Sequence, residues 1–300
     1  MIRSFDQILK AVCGLPPKRV VVAVAQDDAV LEAVKGAREQ GVAEFSLVGD
    51  AAKIQSVGDR LGIDLGGLTI VHEPDDRQAA LRAVTLVSSG EGDILMKGLL
   101  GTADLLRAVL DKQVGLRSGR LLSHVIVSEP KGYDRLILLT DCAMNIAPTL
   151  QQKAEILENC LPLAARLGMN PVKIAALAAV ETVNPDMQAT LDAAALAKMA
   201  DRGRWRGAVV DGPLALDNAL SAEAARHKGI SSPVAGAADV LLVPGLDAGN
   251  VLFKAMVYFG GTPVAGLVLG AAKPVVLTSR ADSFEAKIMS IALAALLEKK

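Results

Sequence analysis

The polar residues most suited to chemistry are Thr278, Ser279 and Arg280, which follow a short run of β-branched residues and precede a long amphipathic pattern. Parallel α/β sheets bind ligands where a strand ends and a helix begins, because the free N–H groups of the helix attract an anion. Arg280 adds a planar, permanently charged group suited to phosphate. Ser279-x-x-Asp282 before an apolar run is also typical of a helix-capping box. The segment therefore predicts an anion site, a helix cap, or both.

Other polar residues follow other predicted strands, where a ligand site of an α/β protein would form. They are, in chain order, Lys97, Thr102, Arg107, Asp141, Asn145, Asp211, Asp217, Asn250 and Lys254. Each alone has a plain explanation, such as a surface lysine, a helix cap or a turn built on aspartate and glycine. Their recurrence in both halves of the chain predicts the lining of a cleft between two α/β domains.

Several common catalytic motifs are absent from the sequence. It contains no G-x-x-x-x-G-K-[ST], no G-x-G-x-x-G and no G-x-S-x-G. Cys142, after a predicted strand, is the one attractive candidate for a covalent nucleophile, and it would need a histidine brought near by folding. We favour the alternative that Cys142 is a small buried residue at a strand end.

Composition argues against several classes of protein. Hydrophobic residues make up 51% and charged residues 22%, which predicts a large buried core. A net charge of −1 and 3% aromatic residues argue against nucleic-acid binding. The cysteines form no C-x-x-C pair and the histidines are isolated, so we expect a reducing compartment and no metal site.

The N-terminal residues lack the apolar segment of a signal peptide. One uncharged stretch, residues 255–272, is interrupted by Gly260, Gly261 and Pro263. A turn in its middle predicts a helix end followed by a buried strand rather than a membrane span. We therefore expect a cytoplasmic protein with no membrane partner.

Short apolar runs alternate with amphipathic patterns along most of the chain, which predicts parallel sheets with crossover helices. The rhythm breaks over residues 121–140, where two predicted strands are joined by a short polar connection, as in a hairpin. On this basis we predict two α/β domains, residues 1–128 with 268–300 and residues 129–267. The last predicted helix spans residues 284–297.

Local patterns predict further details. Thr102 is expected to cap a helix over residues 103–110, Thr149 with Gln152 to open another, and Asn184-Pro185 to begin a third. Asp211, followed by Gly-Pro, is compatible with a turn after a short strand. A helix with an apolar side is predicted to be a core helix, with an interface as the alternative; its apolar residues are Val251, Phe253, Met256 and Tyr258.

Blocks of these residues resemble the phosphate acetyl/butyryltransferase family. The blocks are Lys97-Gly-x-x-x-Thr102-Ala-Asp-Leu-Leu-Arg107, Thr140-Asp-Cys-Ala-Met-Asn145-x-x-Pro148, Asp211-Gly-Pro-Leu-x-x-Asp217, Ser232-Pro-Val-Ala-Gly-x-Ala-Asp239 with Pro244-x-x-x-Ala-Gly-Asn250-x-x-x-Lys254, and Thr278-Ser-Arg-Ala-Asp282. They lie in the family's order and at compatible spacings. The sequence Thr-Ser-Arg-Ala-Asp-Ser is more similar to the butyryl branch.

The resemblance implies two α/β domains with a cleft, in the isocitrate/isopropylmalate dehydrogenase-like fold group. It implies transfer of a butyryl or acetyl group between coenzyme A and inorganic phosphate, with acyl phosphate as the second acyl carrier. Coenzyme A would be a substrate, with no cofactor, and direct attack in a ternary complex would make an acyl-enzyme unnecessary. We also expect a homo-oligomer, a dimer or higher.

The resemblance further implies that Arg280 contacts the phosphoryl group, that Ser279 donates to the substrate or thiol, and that Arg107 contacts coenzyme A or phosphate. The other residues expected to bind substrate are Lys97, Thr102, Asp141, Asn145, Asp211, Asn250 and Lys254. In acetyl-type relatives a carboxylate that deprotonates the thiol lies six residues after the arginine, and that position is Ala286 here. Asp282 therefore joins the catalytic set as a substitute base, with Glu285 or another base as alternatives.

Two other functions stay open. A catalytically silent paralogue would bind coenzyme A esters as a sensor, which the altered base position allows. A metal-dependent dehydrogenase of the same fold would use Asp211 and Asp217 as metal ligands, although the sequence lacks clustered acids on one helix.

Overall fold

The computed structural model describes residues 1–278 and 282–298. The chain separates into two compact units, which we call central and terminal. The central unit comprises Met1–Ser4 with Leu121–Val264, and the terminal unit comprises Phe5–Arg120 with the chain from Ala265 onward. The predicted domain boundaries lie after residues 128 and 267. The prediction therefore groups the strand that begins at Ser123 with the N-terminal residues, whereas the structure places this strand in the central unit.

The terminal unit alternates strands and helices, numbered here along the whole chain. Its strands are β1 (Lys18–Ala23), β2 (Ala43–Gly49), β3 (Thr69–His72), β4 (Ile94–Lys97), β10 (Val264–Leu269) and β11 (Val275–Val276). Its helices are α1 (Phe5–Cys13), α2 (Asp28–Glu39), α3 (Ala51–Leu61), α4 (Asp76–Ser88), α5 (Thr102–Val109) and α11 (Phe284–Leu297). The predicted α/β class is confirmed.

Within the terminal unit the strand order is β3-β2-β1-β4-β11-β10. Neighbouring strands are parallel except β10 and β11, which are antiparallel. β1 is buried from Val20 to its end, because a parallel strand between two layers of helices can bury β-branched residues on each face. The carboxyl ends of β1, β4 and β11 consequently lie side by side.

The central unit has the strand order β5-β6-β9-β7-β8. Its strands are β5 (Ser123–Ser128), β6 (Ile137–Thr140), β7 (Val172–Leu177), β8 (Ala208–Leu214) and β9 (Val240–Leu242). Its helices are α6 (Leu150–Arg166), α7 (Gln188–Asp201), α8 (Leu216–Leu220), α9 (Ala222–His227) and α10 (Leu246–Tyr258). β5 and β6 pair antiparallel, which confirms the predicted hairpin, and the other neighbours are parallel.

One predicted helix start is confirmed and two are wrong. Thr149 caps α6, and with Gln152 it makes both hydrogen bonds of a capping box. α5 begins at Thr102 itself and is preceded by Gly101, so Thr102 is not a cap. α7 begins at Gln188, because the hydroxyl of Thr190 bonds both the N–H and the carbonyl of Asn184 and holds that residue in a preceding turn.

The last helix, α11, has the predicted bounds but a different cap. Ser283 is the capping residue, and its hydroxyl accepts a hydrogen bond from the Ala286 N–H at 3.2 Å. The predicted capping box of Ser279 with Asp282 is therefore wrong. It fails because α11 starts after Ser283, which leaves Asp282 outside the first turn.

The prediction that α10 is a core helix is wrong for one of its faces. Val251 and Tyr258 are 69% and 70% exposed, and they lie two turns apart on the same face. Phe253 and Met256 pack against the core of the central unit from another face. Within the part of the chain that the structure describes, no helix combines the length and apolar character needed to cross a membrane.

Candidate active site

In the terminal unit, predicted site residues meet where β4 and β11 end. Val276 of β11 pairs in parallel with Met96 of β4, so the residues that follow them leave the sheet at the same edge. Lys97 comes next on β4, and Thr278 comes two residues after Val276. Ser279 and Arg280 lie outside the described residues, so their contacts stay predictions.

Lys97 is buried, which overturns its interpretation as a surface lysine. Its ammonium donates to the carbonyl oxygens of Gly98 at 3.2 Å and of Leu100 at 3.3 Å. These bonds shape the loop after β4 around the lysine. They also hold a cationic side chain inside this edge of the sheet, where an anionic ligand would be attracted.

The loop after β4 presses against the end of β1. A Cβ on Gly98 would lie 2.1 Å from the carbonyl oxygen of Val24 and 2.6 Å from that of Ala23, so a side chain cannot fit. Val24 has a φ of 59°, a left-handed conformation that is strained for a β-branched residue. Such strain concentrates at functional sites. Sequence reasoning missed this residue, since no residue pattern reports its φ.

Thr102 and Arg107 lie on α5, the helix after this loop, and both are exposed. Asp104 accepts a hydrogen bond from Arg107, and the guanidinium of Arg77 lies 3.4 Å from the same carboxylate oxygen. One carboxylate thus gathers two guanidinium groups, which suit phosphate groups. Sequence reasoning missed Arg77, because only the packing of α4 beside α5 brings it to Asp104.

In the central unit, Asp141 and Asn145 organise the loop after β6. The buried carboxylate of Asp141 accepts hydrogen bonds from the N–H groups of Ala143 and Met144, both at 3.0 Å, and from the side-chain amide of Asn145. The Asn145 amide also donates to the Leu122 carbonyl at 2.9 Å, which ties the loop to the start of β5. The fold brings these predicted residues together, and their bonds hold the loop itself.

Asn250 attaches α10 to the same loop. Its side-chain amide donates to the carbonyl of Cys142 at 3.2 Å. A Cβ on the preceding Gly249 would lie 2.7 Å from the Asp141 carbonyl oxygen, so the close approach of helix and loop requires glycine there. Lys254, one turn further along α10, is exposed. Of these predicted residues, Asn250 is therefore part of the scaffold and Lys254 faces solvent.

Cys142 is buried, as favoured from the sequence. Burial and the nearby Asp141 charge raise the pKa of its thiol, so it is not a thiolate at neutral pH. His124 is also buried, and burial lowers its pKa to about 4 against the opposing effect of Asp141. Within the described residues, His124 Nδ1 has no hydrogen-bond partner. These surroundings do not suit a covalent cysteine mechanism.

Asp211 lies inside β8, so the turn interpretation is wrong. It pairs in register with Ala175 of β7, and the alignment of the two strands shifts before Leu177. The Asp211 carboxylate accepts a hydrogen bond from the Gly212 N–H at 2.8 Å. Pairing with β7 extends the strand through Gly-Pro, which overrides the turn preference of these residues.

Asp217 lies in an ion-pair cluster with Glu181 and Lys228. The Lys228 ammonium is 3.2 Å from the Asp217 carboxylate and 3.1 Å from that of Glu181. Hydrogen bonds from the Asn218 N–H and from Lys228 lower the pKa of Asp217. Among residues 1–278 and 282–298, no group of three histidine, cysteine or acidic side chains is arranged to hold a metal ion.

Asp282 is partly buried and directly precedes the cap of α11. Its main-chain carbonyl accepts a hydrogen bond from the ammonium of Lys287. Glu285, the alternative base, is exposed in the first turn of α11. Of the two candidate bases, Asp282 is thus the one closer to the end of β11 in the chain and less open to solvent.

Comparisons with known proteins point to one family. A family model described as "Phosphate acetyl/butaryl transferase" matches residues 4–81 and 73–295. The chain is 51% identical over 297 residues to the phosphate butyryltransferase of Clostridium acetobutylicum, a match that covers 99% of each chain. It is 44% identical over 293 residues to the phosphate acetyltransferase of Rhizobium meliloti, covering 98% of this chain and 93% of that one.

Solved structures agree with these relatives. A branched-chain phosphotransacylase from Enterococcus faecalis V583 matches with a TM-score of 0.82 and 37% identity, covering 94% of this chain and 99% of that one. A 4-hydroxythreonine-4-phosphate dehydrogenase from Klebsiella pneumoniae matches with a TM-score of 0.59 and 12% identity, covering 95% of this chain and 100% of that one. The second likeness concerns the fold alone, and it agrees with the predicted dehydrogenase-like fold group.

Proposed function

The chain belongs to the phosphate acetyl/butyryltransferase family, and we propose that it moves a short acyl group between the sulfur of coenzyme A and inorganic phosphate. The structural observation that carries this proposal is the shared edge of β4 and β11. It places buried Lys97 beside the start of the segment 278–282, which leads to the N-terminus of α11. A cation and a helix N-terminus at one strand end suit phosphate, the acyl acceptor of this reaction.

Butyryl is the acyl group we assign, with acetyl as a secondary substrate. Identity to the butyryltransferase is 51%, against 44% to the acetyltransferase. The sequence Thr278-Ser-Arg-Ala-Asp-Ser283 also resembles the butyryl branch more closely. Both observations favour a four-carbon acyl chain.

The chemistry needs no enzyme nucleophile. A phosphate oxygen attacks the thioester carbonyl, the tetrahedral intermediate collapses and the C–S bond breaks. The departing thiolate takes up the proton that the attacking hydrogen phosphate loses. In the opposite direction a base must remove that proton from the thiol. Direct attack in a ternary complex draws its rate from proximity and from donors that stabilise the oxyanion. The buried, protonated Cys142 thiol favours this route over an acyl-enzyme.

We assign Arg280 to the phosphoryl group, Ser279 to a hydrogen bond with the substrate or thiol, and Asp282 to the base. Asp282 takes this role because position 286 is an alanine and Glu285 is solvent-exposed. A carboxylate that accepts a thiol proton works best when it is held near the sulfur and shielded from water.

The remaining predicted residues divide by their surroundings. Exposed Thr102, Arg107 and Lys254 are assigned to contacts with the anionic groups of coenzyme A or phosphate. The residues assigned to holding the loops that bind substrate are Asp141, Asn145, Asp211 and Asn250. Lys97 holds the loop after β4 through two carbonyl oxygens and is also assigned to the phosphate. Arg77 joins Arg107 in the first group because both reach Asp104.

We place the protein in the cytoplasm as a homo-oligomer that binds neither nucleic acid nor membranes. The near-neutral charge and scarcity of aromatic residues favour the absence of nucleic acid. The exposed apolar residues Val251, Tyr258 and Phe259 at α10 favour association through this surface. Sedimentation of the purified protein, with and without a Val251→Glu and Tyr258→Glu pair of substitutions, tests the oligomer.

The function is tested by incubating the purified protein with butyryl-CoA and phosphate, and measuring free thiol together with acyl phosphate trapped by hydroxylamine. We expect equal amounts of both products, with a higher kcat/KM for butyryl-CoA than for acetyl-CoA. A sensor, which the alanine at position 286 allows, would bind coenzyme A esters and release no thiol from any of them. Metal-dependent reduction of a nicotinamide cofactor, without thiol release, would indicate a dehydrogenase.

A further inference from the structure

Two lysines of nearly equal burial differ in the groups that their ammonium groups contact. Lys153 of the central unit and Lys287 of the terminal unit are 5% and 3% exposed. The ammonium of Lys153 lies 2.7 Å from a carboxylate oxygen of Asp192, which neutralises it. The ammonium of Lys287 donates instead to the main-chain carbonyl of Asp282. In the described part of the chain, no carboxylate lies within 4.0 Å of it.

The position of Lys287 is unfavourable for a cation in two ways. It lies in the first turn of α11, which begins at Phe284, and the helix dipole disfavours a positive charge there. Burial of an ammonium without a counter-charge disfavours it again. A hydrogen bond to one carbonyl satisfies only one of its three N–H groups. Residues that reduce stability in this way are expected where function requires them.

The carbonyl that Lys287 holds belongs to the segment assigned to phosphate. Asp282 ends the stretch that follows β11 and directly precedes Ser283, the cap of α11. Lys97, on the neighbouring strand β4, lies at the other end of this stretch. Two buried lysines of the terminal unit thus flank the segment 278–282, one near each end.

We propose that Lys287 is a positioning residue of the acyl transfer. Its ammonium holds the Asp282 carbonyl, directly before the cap of α11, and its charge is balanced by the phosphate or phosphoryl group that the segment 278–282 binds in the proposed function. The inference rests on the proposed function. It adds a cation that none of the assigned residues supplies and that is built into α11 itself.

A purely structural role of Lys287 and a role in binding the substrate predict different effects of substitution. Loss of a tether lowers the melting temperature, and a neutral donor of similar length restores it. Loss of a functional charge leaves the melting temperature equal or higher, because an uncompensated buried ammonium has been removed. Phosphate binding then falls whether or not a donor remains.

The experiment compares Lys287→Met, which removes charge and donor, with Lys287→Gln, which keeps a donor, and with Lys153→Met as the matched buried control. Melting temperature is measured with and without inorganic phosphate, and KM is measured for phosphate and for butyryl-CoA. In both Lys287 variants we expect KM for phosphate to rise about tenfold, as for loss of one charged hydrogen-bonding group, with KM for butyryl-CoA little changed. Their melting temperature should equal or exceed that of the wild type.

Lys153→Met should instead melt at a lower temperature, because it leaves Asp192 buried without its partner, and its KM for phosphate should stay at the wild-type value. The proposal is overturned if both Lys287 variants keep the wild-type KM for phosphate. It is also overturned if they melt as low as Lys153→Met, or if Lys287→Gln alone restores both quantities. Absence of turnover in the wild type would remove the proposed function, while the phosphate-induced rise in melting temperature would still test Lys287.

Discussion

Buried charged side chains have different partners in the two units, and the difference distinguishes residues that support the fold from residues that bind substrate. In the central unit, Asp141 is surrounded by donors from its own loop, and Lys153 is paired with Asp192. In the terminal unit, the ammonium groups of Lys97 and Lys287 are directed at main-chain carbonyl oxygens. Charges balanced within the protein fix a loop, whereas an ammonium group that lies against main-chain carbonyl oxygens keeps a positive field for an anion.

This comparison predicts two kinds of mutational response. Changes to balanced groups of the central unit should alter stability and activity together, because the same bonds hold fold and loop. Changes to cations of the terminal unit should alter substrate binding more than stability.

The largest effect is expected for Gly98→Ala at the end of β4. The added Cβ would lie 2.1 Å from the Val24 carbonyl oxygen, so the loop that carries Lys97 must move. A displacement of about 1 Å in a binding loop can cost roughly 100-fold in rate, and we expect kcat/KM to fall by at least that factor. The control is Gly101→Ala, which should keep most activity, because among residues 1–278 and 282–298 its Cβ would meet Asp104 alone, at 3.4 Å. Equal activity of the two variants would contradict the assignment of this loop.

Asp141→Asn should lower both stability and activity. The new amide would face the Asn145 amide as donor against donor, so we expect a loss of about 2 kcal/mol in the free energy of unfolding. Asp111 is the matched control, since its carboxylate is more exposed than that of Asp141 and accepts the same kind of turn hydrogen bonds from Gln113 and Val114. Asp111→Asn should lose much less stability, because water can hydrogen-bond the groups left without a partner. Urea unfolding of both variants checks this difference, and a stable but inactive Asp141→Asn would contradict the proposed link.

Stability should also depend on pH through His124. Burial lowers its folded-state pKa to about 4, below the ordinary value of 6.5, so protonation favours the unfolded chain. Its contribution to the free energy of unfolding is complete above pH 6.5 and is lost as the pH falls towards 4. At pH 5 the loss amounts to about 2 kcal/mol. His124→Phe should remove this pH dependence, whereas His227→Asn, at an exposed histidine, should keep it. An unchanged pH profile in His124→Phe would show that another group is responsible.

The smallest effect on stability is expected for Arg107→Ala. Its guanidinium is exposed and paired with Asp104, so the melting temperature should change little. KM for butyryl-CoA should rise about fivefold if the guanidinium contacts a phosphate of coenzyme A. Arg77→Ala should behave in the same way, and Arg82→Ala, at an exposed arginine elsewhere on α4, should not. A large loss of stability without a change in KM would place Arg107 with the scaffold instead.

The sequence predicted most of what depends on local pattern. The alternation of strands and helices, the hairpin of β5 and β6, the cap at Thr149 and the bounds of α11 follow from hydrophobic period and capping chemistry. The polar residues at strand ends were also identifiable, because that position is visible in the order of the elements. The cap of α11 was misassigned, since both Ser279 and Ser283 are acceptable capping residues on sequence alone.

What the sequence could not predict depends on tertiary contacts. Asp211 is drawn into β8 by pairing with β7, and Arg77 reaches Asp104 only when α4 packs beside α5. The burial of Lys97 and Lys287 is invisible in a linear pattern, where both resemble surface lysines. The exposed face of α10 was missed because its apolar residues lie on more than one face.

The most direct test of the central claim is the initial rate of butyryl phosphate formation with butyryl-CoA and phosphate both varied. Direct attack in a ternary complex predicts double-reciprocal lines that intersect, with product formed in proportion to free thiol. Parallel lines would indicate a covalent acyl-enzyme and would contradict the account. Absence of butyryl phosphate would contradict it more completely.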